Sequence, residues 1–270
     1  MTSVPLSSTG LWGDRPFPPD GETDRVRVGP LTLWYKVVDN EVWLAHRHET
    51  DASGVIPAGP PPDVEWSRWA MRDHVHHLHI APVFPEEILV VRPEHSFTLL
   101  RRARARVYMR VPIWVRVEAV EGSDARFMPA TLVELPTATL SHTWWGDFRD
   151  GEMGYGLTTR ARRELSPELF EPHLAVSTLQ LVNRSQDNLA VEKIAVRSAH
   201  LSLYQRGGEL WTEEMQVEYR GEAEGSDVLM LGRAPDEAEG SVLLTPPRRP
   251  TKGLHARTFA RLKALSGFGL

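Results

Sequence analysis

The chain alternates apolar and polar residues with a period of two over much of its length, and turn-forming residues break the alternation at short intervals. The clearest run begins at Arg102. Ala103, Ala105, Val107, Met109 and Val111 fall on one side of it, and Arg102, Arg104, Arg106, Tyr108 and Arg110 on the other. That is the pattern of a half-buried strand. Pro112 interrupts it, which predicts a bulge or a sheet edge before Ile113, Val115 and Val117 continue inward. Upstream, LTLWYKVV and EVWLAHRH are joined by Asp39-Asn40, two residues that tolerate a left-handed backbone, so this segment predicts a hairpin with a type I′ turn. The second half reads as a meander with turns at Asn183 to Asn188 and at Gly207-Gly208. Asn183-Arg184-Ser185 matches a glycosylation sequon but reads as turn chemistry. From Lys252 to Leu265 the period changes: Leu254, Phe259, Leu262 and Leu265 stand at helical spacing, with Gly267 to end the helix.

No strand–helix–strand alternation appears, so the fold class expected is all-β: an antiparallel β-sandwich, one large or two tandem, with a C-terminal amphipathic helix. The expected division is a flexible arm over 1–25, an N-terminal β region over 26–122, a C-terminal β region over 123–250 and a docking helix over 251–270. Glu121-Gly122-Ser123-Asp124 marks the boundary between the β regions, and the proline-rich stretch 51–63 forms a loop outside any central ladder.

Composition narrows the function. At 270 residues with 41% hydrophobic and 25% charged positions, the chain resembles ordinary globular proteins. A net charge of −5 argues against a general nucleic-acid binder. No apolar run reaches the roughly 20 residues of a spanning helix, and the N-terminus lacks a basic start and apolar core, so a cytoplasmic location is expected. With no cysteine there is no disulfide, thiolate site or cysteine nucleophile.

The chemistry concentrates in LSHTWWGDFRDGEMGYGLTTRAR, starting at Leu140. Two strands joined by an aromatic-tipped loop are expected, with Ser166-Pro167 opening a short helix afterwards. By alternation Trp144 points into the core and Trp145 sits at the loop tip, where an exposed Trp would anchor a partner. Glu152, Tyr155, Arg160, Arg162 and Arg163 surround it as candidate binding residues. Arg104 and Arg106 belong to an arginine face that either pairs with acidic residues or binds an anionic ligand or headgroup. Six of the eleven histidines lie between His46 and His79. His46/His48 and His74/His76 each share a strand face, and two such pairs could hold a metal ion, but no carboxylate stands beside them at ligand spacing. No cofactor is therefore expected.

Laid in order, IAPVFPEEILVVRPE, RVYMRVPIWVRV, ATLVELPTATLSHTWWGDFRDGEMGYGLTTRARR, LQLVNRSQDNLAVEKIAV, HLSLYQRGGELWT and the GFGL terminus resemble the domain of unknown function 432 family. The resemblance spans roughly residue 80 to 270 and implies a β-rich prokaryotic protein with no assigned reaction. Members of that family are often encoded beside small-conductance mechanosensitive channels. It therefore implies, by association, a non-enzymatic regulatory protein that binds a protein partner, such as the cytoplasmic part of a channel, and is compatible with a homo-oligomer. The alternative is a metal-dependent, cupin-like enzyme or small-ligand binder built on the histidine pairs. A third reading is a sandwich that stacks sugars on tryptophan.

Overall fold

A computed structural model describes residues 10–49, 55–71, 75–121, 129–146, 149, 151–221, 225–256 and 258–260. Strands dominate them, and the helical elements among them are single 3-10 turns at Pro167–Leu169, Ser198–His200 and Asp236–Ala238. The chain forms two compact units: one of Met1–Val83 and Pro112–Thr139, the other of Phe84–Val111 and Leu140–Leu270. They interleave, so the expected sequential division at 122/123 is replaced by three crossings between units. Pro112 stands at one crossing, where a residue without a backbone N–H ends one ladder.

The first unit holds two four-stranded antiparallel sheets. Asp24–Val28, Leu31–Val38, Glu41–His48 and Ser67–Ala70 follow one another as a meander. Its second tight turn is the expected one, with φ of 48° at Asp39 and 63° at Asn40. Leu31, Leu33, Trp34 and Tyr35 are buried, and the Trp34 indole N–H donates to the Pro57 carbonyl at 3.0 Å. The other sheet runs Gly13–Pro16, Val75–Val83, Trp114–Glu121, Ala130–Pro136. Gly13–Pro16 lies inside the segment expected as a flexible arm, yet it is an edge strand whose Asp14 meets His79 Nδ1 at 2.6 Å and His77 Nε2 at 3.6 Å.

The second unit contains a five-stranded sheet in the order Ser141–Trp145, Glu152–Ala161, Ile88–Pro93, Lys193–Val196, Phe259–Ala260. A larger eight-stranded sheet is centred on Leu174–Asn183, which also pairs with Arg104–Pro112. The antiparallel expectation needs correction here. Glu152–Ala161 runs parallel to Ile88–Pro93, and Leu174–Asn183 runs parallel to both Glu209–Thr212 and Met215–Gly221. Parallel neighbours require a long connection, and the chain between Ile88–Pro93 and Glu152–Ala161 supplies one by building Arg104–Pro112 and then passing through the first unit.

The expected C-terminal helix is also corrected as far as the described residues go. Gly253–Ala256 is a strand against Gly225–Met230, and Phe259–Ala260 is a strand against Lys193 and Ile194. Leu254 and Phe259 therefore join sheets by strand pairing, which overrides their helix-like spacing; Leu262 and Leu265 lie outside the described residues. Asn183 does serve as turn chemistry. Fully buried, it donates to the Leu99, Leu100 and Asp187 carbonyls, and its Oδ1 accepts from Ser185.

Candidate functional site: a cationic groove

Along Ser141–Trp145, residues 141, 143 and 145 share one face of the five-stranded sheet. Their register partners are Gly156, Gly154 and Glu152, and these meet Val90 and Ile88 on the next strand. One end of this face is closed. Trp145, 3% exposed, packs with Ile88, Val90 and Ala195, and Arg197 makes a two-pronged ion pair with Glu152.

The other end is open because two glycines interrupt the face, each with a different consequence. A Cβ on Gly154 would come within 2.6 Å of the Ile88 carbonyl oxygen, so that glycine permits close strand packing. A Cβ on Gly156 would approach nothing closer than 3.7 Å, so that glycine leaves room above the sheet. The room is a groove of about 320 Å³, within the usual size of small-ligand sites. Val90 and Gly156 line it together with Ser141, Thr143 and Thr158, three residues that carry hydroxyls.

Three cations line the far end: Arg160, Arg92 and Lys193. Arg160 is the direct register partner of Arg92. Ile194 pairs with Val91, so Lys193 comes level with Arg92 from the opposite side. The three charges therefore form a row across three adjacent strands. Like charges directly opposite on a sheet oppose folding. Among the described residues no carboxylate lies within ion-pair distance of any of them, whereas Arg106, Arg110, Arg162, Arg184, Arg197 and Arg220 in the same unit each have one. His142 stands at the groove edge with its ring 5.0 Å from that of Tyr155 and its Nε2 4.0 Å from Glu87. Burial, helped by Glu87, raises the Tyr155 pKa, so this phenol stays protonated at neutral pH.

The tryptophans are inverted from the sequence expectation. Trp145 is the core residue and Trp144, 47% exposed, lies beside Met153, its register partner, at 48%. The strand's inward phase is set by Ile88, Val90 and Ala195 on the neighbouring strands, against which Trp145 packs and which local hydrophobicity does not reveal. The Trp144 indole covers Gly151, where a Cβ would come within 2.3 Å of the ring.

Of the other candidates, only Arg160 lines the groove. Glu152 is bound to Arg197. Arg162 is shared between Glu94 at 3.5 Å and Glu168 at 3.4 Å. Arg163 donates to the Arg106 carbonyl and lies over the Phe97 ring. Arg162 and Arg163 line a second, separate hollow of about 300 Å³ with His95, Phe97 and Ser166.

The arginine face is not a free anion surface. Arg102 sits at φ 61° in a turn before the strand, and Arg104 is exposed. Arg106 is held by Glu214 at 2.8 Å and Glu237 at 3.1 Å, and Arg110 by Glu171 at 2.7 Å. Glu214 is 1% exposed and also accepts from Gln180 at 2.6 Å. Tyr108 turns inward and donates to Glu237 at 2.8 Å.

As for the histidines, the rings of His46 and His48 are 6.3 Å apart, and His48 Nε2 lies 2.7 Å from the Pro136 carbonyl oxygen. His74 and the side chain of His76 fall outside the described residues. Among the described residues no group of three His, Asp or Glu is placed to hold a metal ion.

Sequence reading missed Arg92, Lys193, Ser141, Thr143 and Gly156. The cations come from positions 92, 160 and 193, so no local motif unites them; the one available signal was a charge directly after the buried run ILVV. No helix among the described residues is long and apolar enough to cross a membrane. No curated protein and no solved structure matches the chain. Its sequence does match a family profile over residues 11–263, and on that match the chain belongs to the family described as protein of unknown function (DUF432).

Proposed function

We propose that this protein is a binding module whose groove takes an oxyanion, phosphate or carboxylate, between Arg92, Arg160 and Lys193. The observation that carries this reading is the uncompensated cation row at the end of an open groove lined by Ser and Thr residues. A bound anion removes the mutual repulsion, and the guanidinium forks offer it paired hydrogen bonds. The test is calorimetric titration with inorganic phosphate and with acetate at fixed ionic strength. The parent protein should bind at least one of them, and the double variant Arg92→Gln/Arg160→Gln should lose that binding while melting no lower than the parent. Absence of binding by the parent would refute the reading.

A second reading keeps the protein as a regulatory accessory that docks on a protein partner, a mechanosensitive channel being the partner that the family resemblance implies. The adjacent exposure of Trp144, on an edge strand, and Met153, on the strand beside it, favours this reading, because aromatic and Met side chains anchor interfaces. Titration against the purified cytoplasmic region of such a channel tests it. Trp144→Ala should weaken binding at least about tenfold, and equal binding by the variant would exclude Trp144 as the anchor.

A further inference from the structure

We infer that the groove is built for a diphosphate ester rather than for a single phosphate group, an inference that rests on the oxyanion reading above. Neighbouring strands lie about 4.8 Å apart, so a row across three of them extends over roughly 10 Å. The oxygens of one phosphate span less than one inter-strand gap and fit between two of the three cations. A second phosphoryl group reaches the third. Charge gives the same answer: a phosphate monoester carries about −1.5 to −2 at neutral pH, which leaves part of a triple positive row unbalanced, whereas a diphosphate balances it.

The rest of the groove fixes where the organic part goes. It leads away from the cations over Gly156 and Val90, between Ser141, Thr143 and Thr158. Three hydroxyl-bearing residues lining a trough with a small apolar floor match a polyol, which offers both donors and acceptors along its edges and a C–H face beneath. Gly156 is the specificity-determining position. Any side chain there occupies the trough without touching the cation row, and its Cβ meets the Ser141 carbonyl and the Thr143 side chain only at ordinary contact distances of 3.7–3.8 Å.

The experiment uses the full chain and three probes at constant ionic strength: inorganic phosphate, inorganic pyrophosphate and ADP, the last carrying a ribose on its diphosphate. Pyrophosphate should bind at least tenfold tighter than phosphate, and Lys193→Gln should cut that advantage to less than threefold while leaving phosphate binding nearly unchanged. Gly156→Val should weaken ADP at least tenfold and leave pyrophosphate within twofold. A melting curve for each variant in buffer alone establishes that it is folded; if Gly156→Val is not, Gly156→Ser replaces it. Equal affinity for phosphate and pyrophosphate overturns the diphosphate inference but leaves the oxyanion reading standing. Equal loss of ADP and pyrophosphate in the Gly156 variant overturns the placement of the organic part. No binding of any probe overturns both.

Discussion

Replacing Arg92 by Gln should stabilise the protein in the absence of ligand. Arg92 is the middle of the row and opposes Arg160 on one side and Lys193 on the other. Each like-charged cross-strand pair costs about 0.2–1 kcal/mol, so removing the central charge relieves two pairs and should contribute about 0.4–2 kcal/mol. Arg160→Gln and Lys193→Gln each relieve one pair and should give about half as much. For a folding unit of this size, 1 kcal/mol shifts the melting temperature by about 2–4 °C. The assay is thermal unfolding of the parent and three variants at low and high salt, because the repulsion is between exposed groups and is screened as ionic strength rises. The gain should shrink toward zero in high salt, and addition of a bound anion should reverse the order of stabilities. A site kept for binding at the expense of stability shows this opposition. The reasoning is refuted if Arg92→Gln melts lower than the parent at low salt, or if its gain does not depend on salt.

Three further outcomes follow from the packing. Trp145→Ala empties the space against Ile88, Val90 and Ala195 and should cost about 3–5 kcal/mol in chemical denaturation, whereas Trp144→Ala should cost less than about 1 kcal/mol; the reverse order would contradict the burial of these two rings. Glu214→Gln removes the buried carboxylate from Arg106 and Arg233, which are partly exposed and keep Glu237 and Asp236, and should cost about 1–2 kcal/mol, while Arg104→Gln, on the same strand as Arg106 but exposed, should be neutral within about 0.5 kcal/mol. Burial, with Arg110 nearby and only partly offset by Glu171, lowers the His173 pKa, so its neutral form is favoured in the folded state. Its stabilising effect is present above the ordinary histidine pKa and is lost as pH falls through the depressed folded value. His173→Gln should therefore flatten the fall in melting temperature below about pH 6.5, and an unchanged acid limb would remove His173 from the account.

The sequence alone established that the chain is β-rich, because a period of two is a property of neighbouring residues and needs no partner strand. It determined the Asp39-Asn40 hairpin, since left-handed tolerance at two consecutive positions is local. It also determined the inward set Ala105, Val107, Met109 and Val111. Even the family was legible from ordered stretches of sequence. Partners and phase were not. Alternation says that Trp144 and Trp145 point opposite ways, but which one faces inward depends on the strand lying against them. Here Gly154 yields to Ile88, and that contact admits Trp145. The arginine run looked like one charged face; its fate was settled by Glu214, Glu237 and Glu171, more than 60 residues away in every case. The spacing of Leu254 and Phe259 resembled a helix, and sheet edges captured both as strands because pairing satisfies backbone groups that a short isolated helix leaves open. The candidate site is the extreme case. Arg92, Arg160 and Lys193 become neighbours only through one parallel and one antiparallel pairing, and the parallel one exists because the chain detours through the other unit between them.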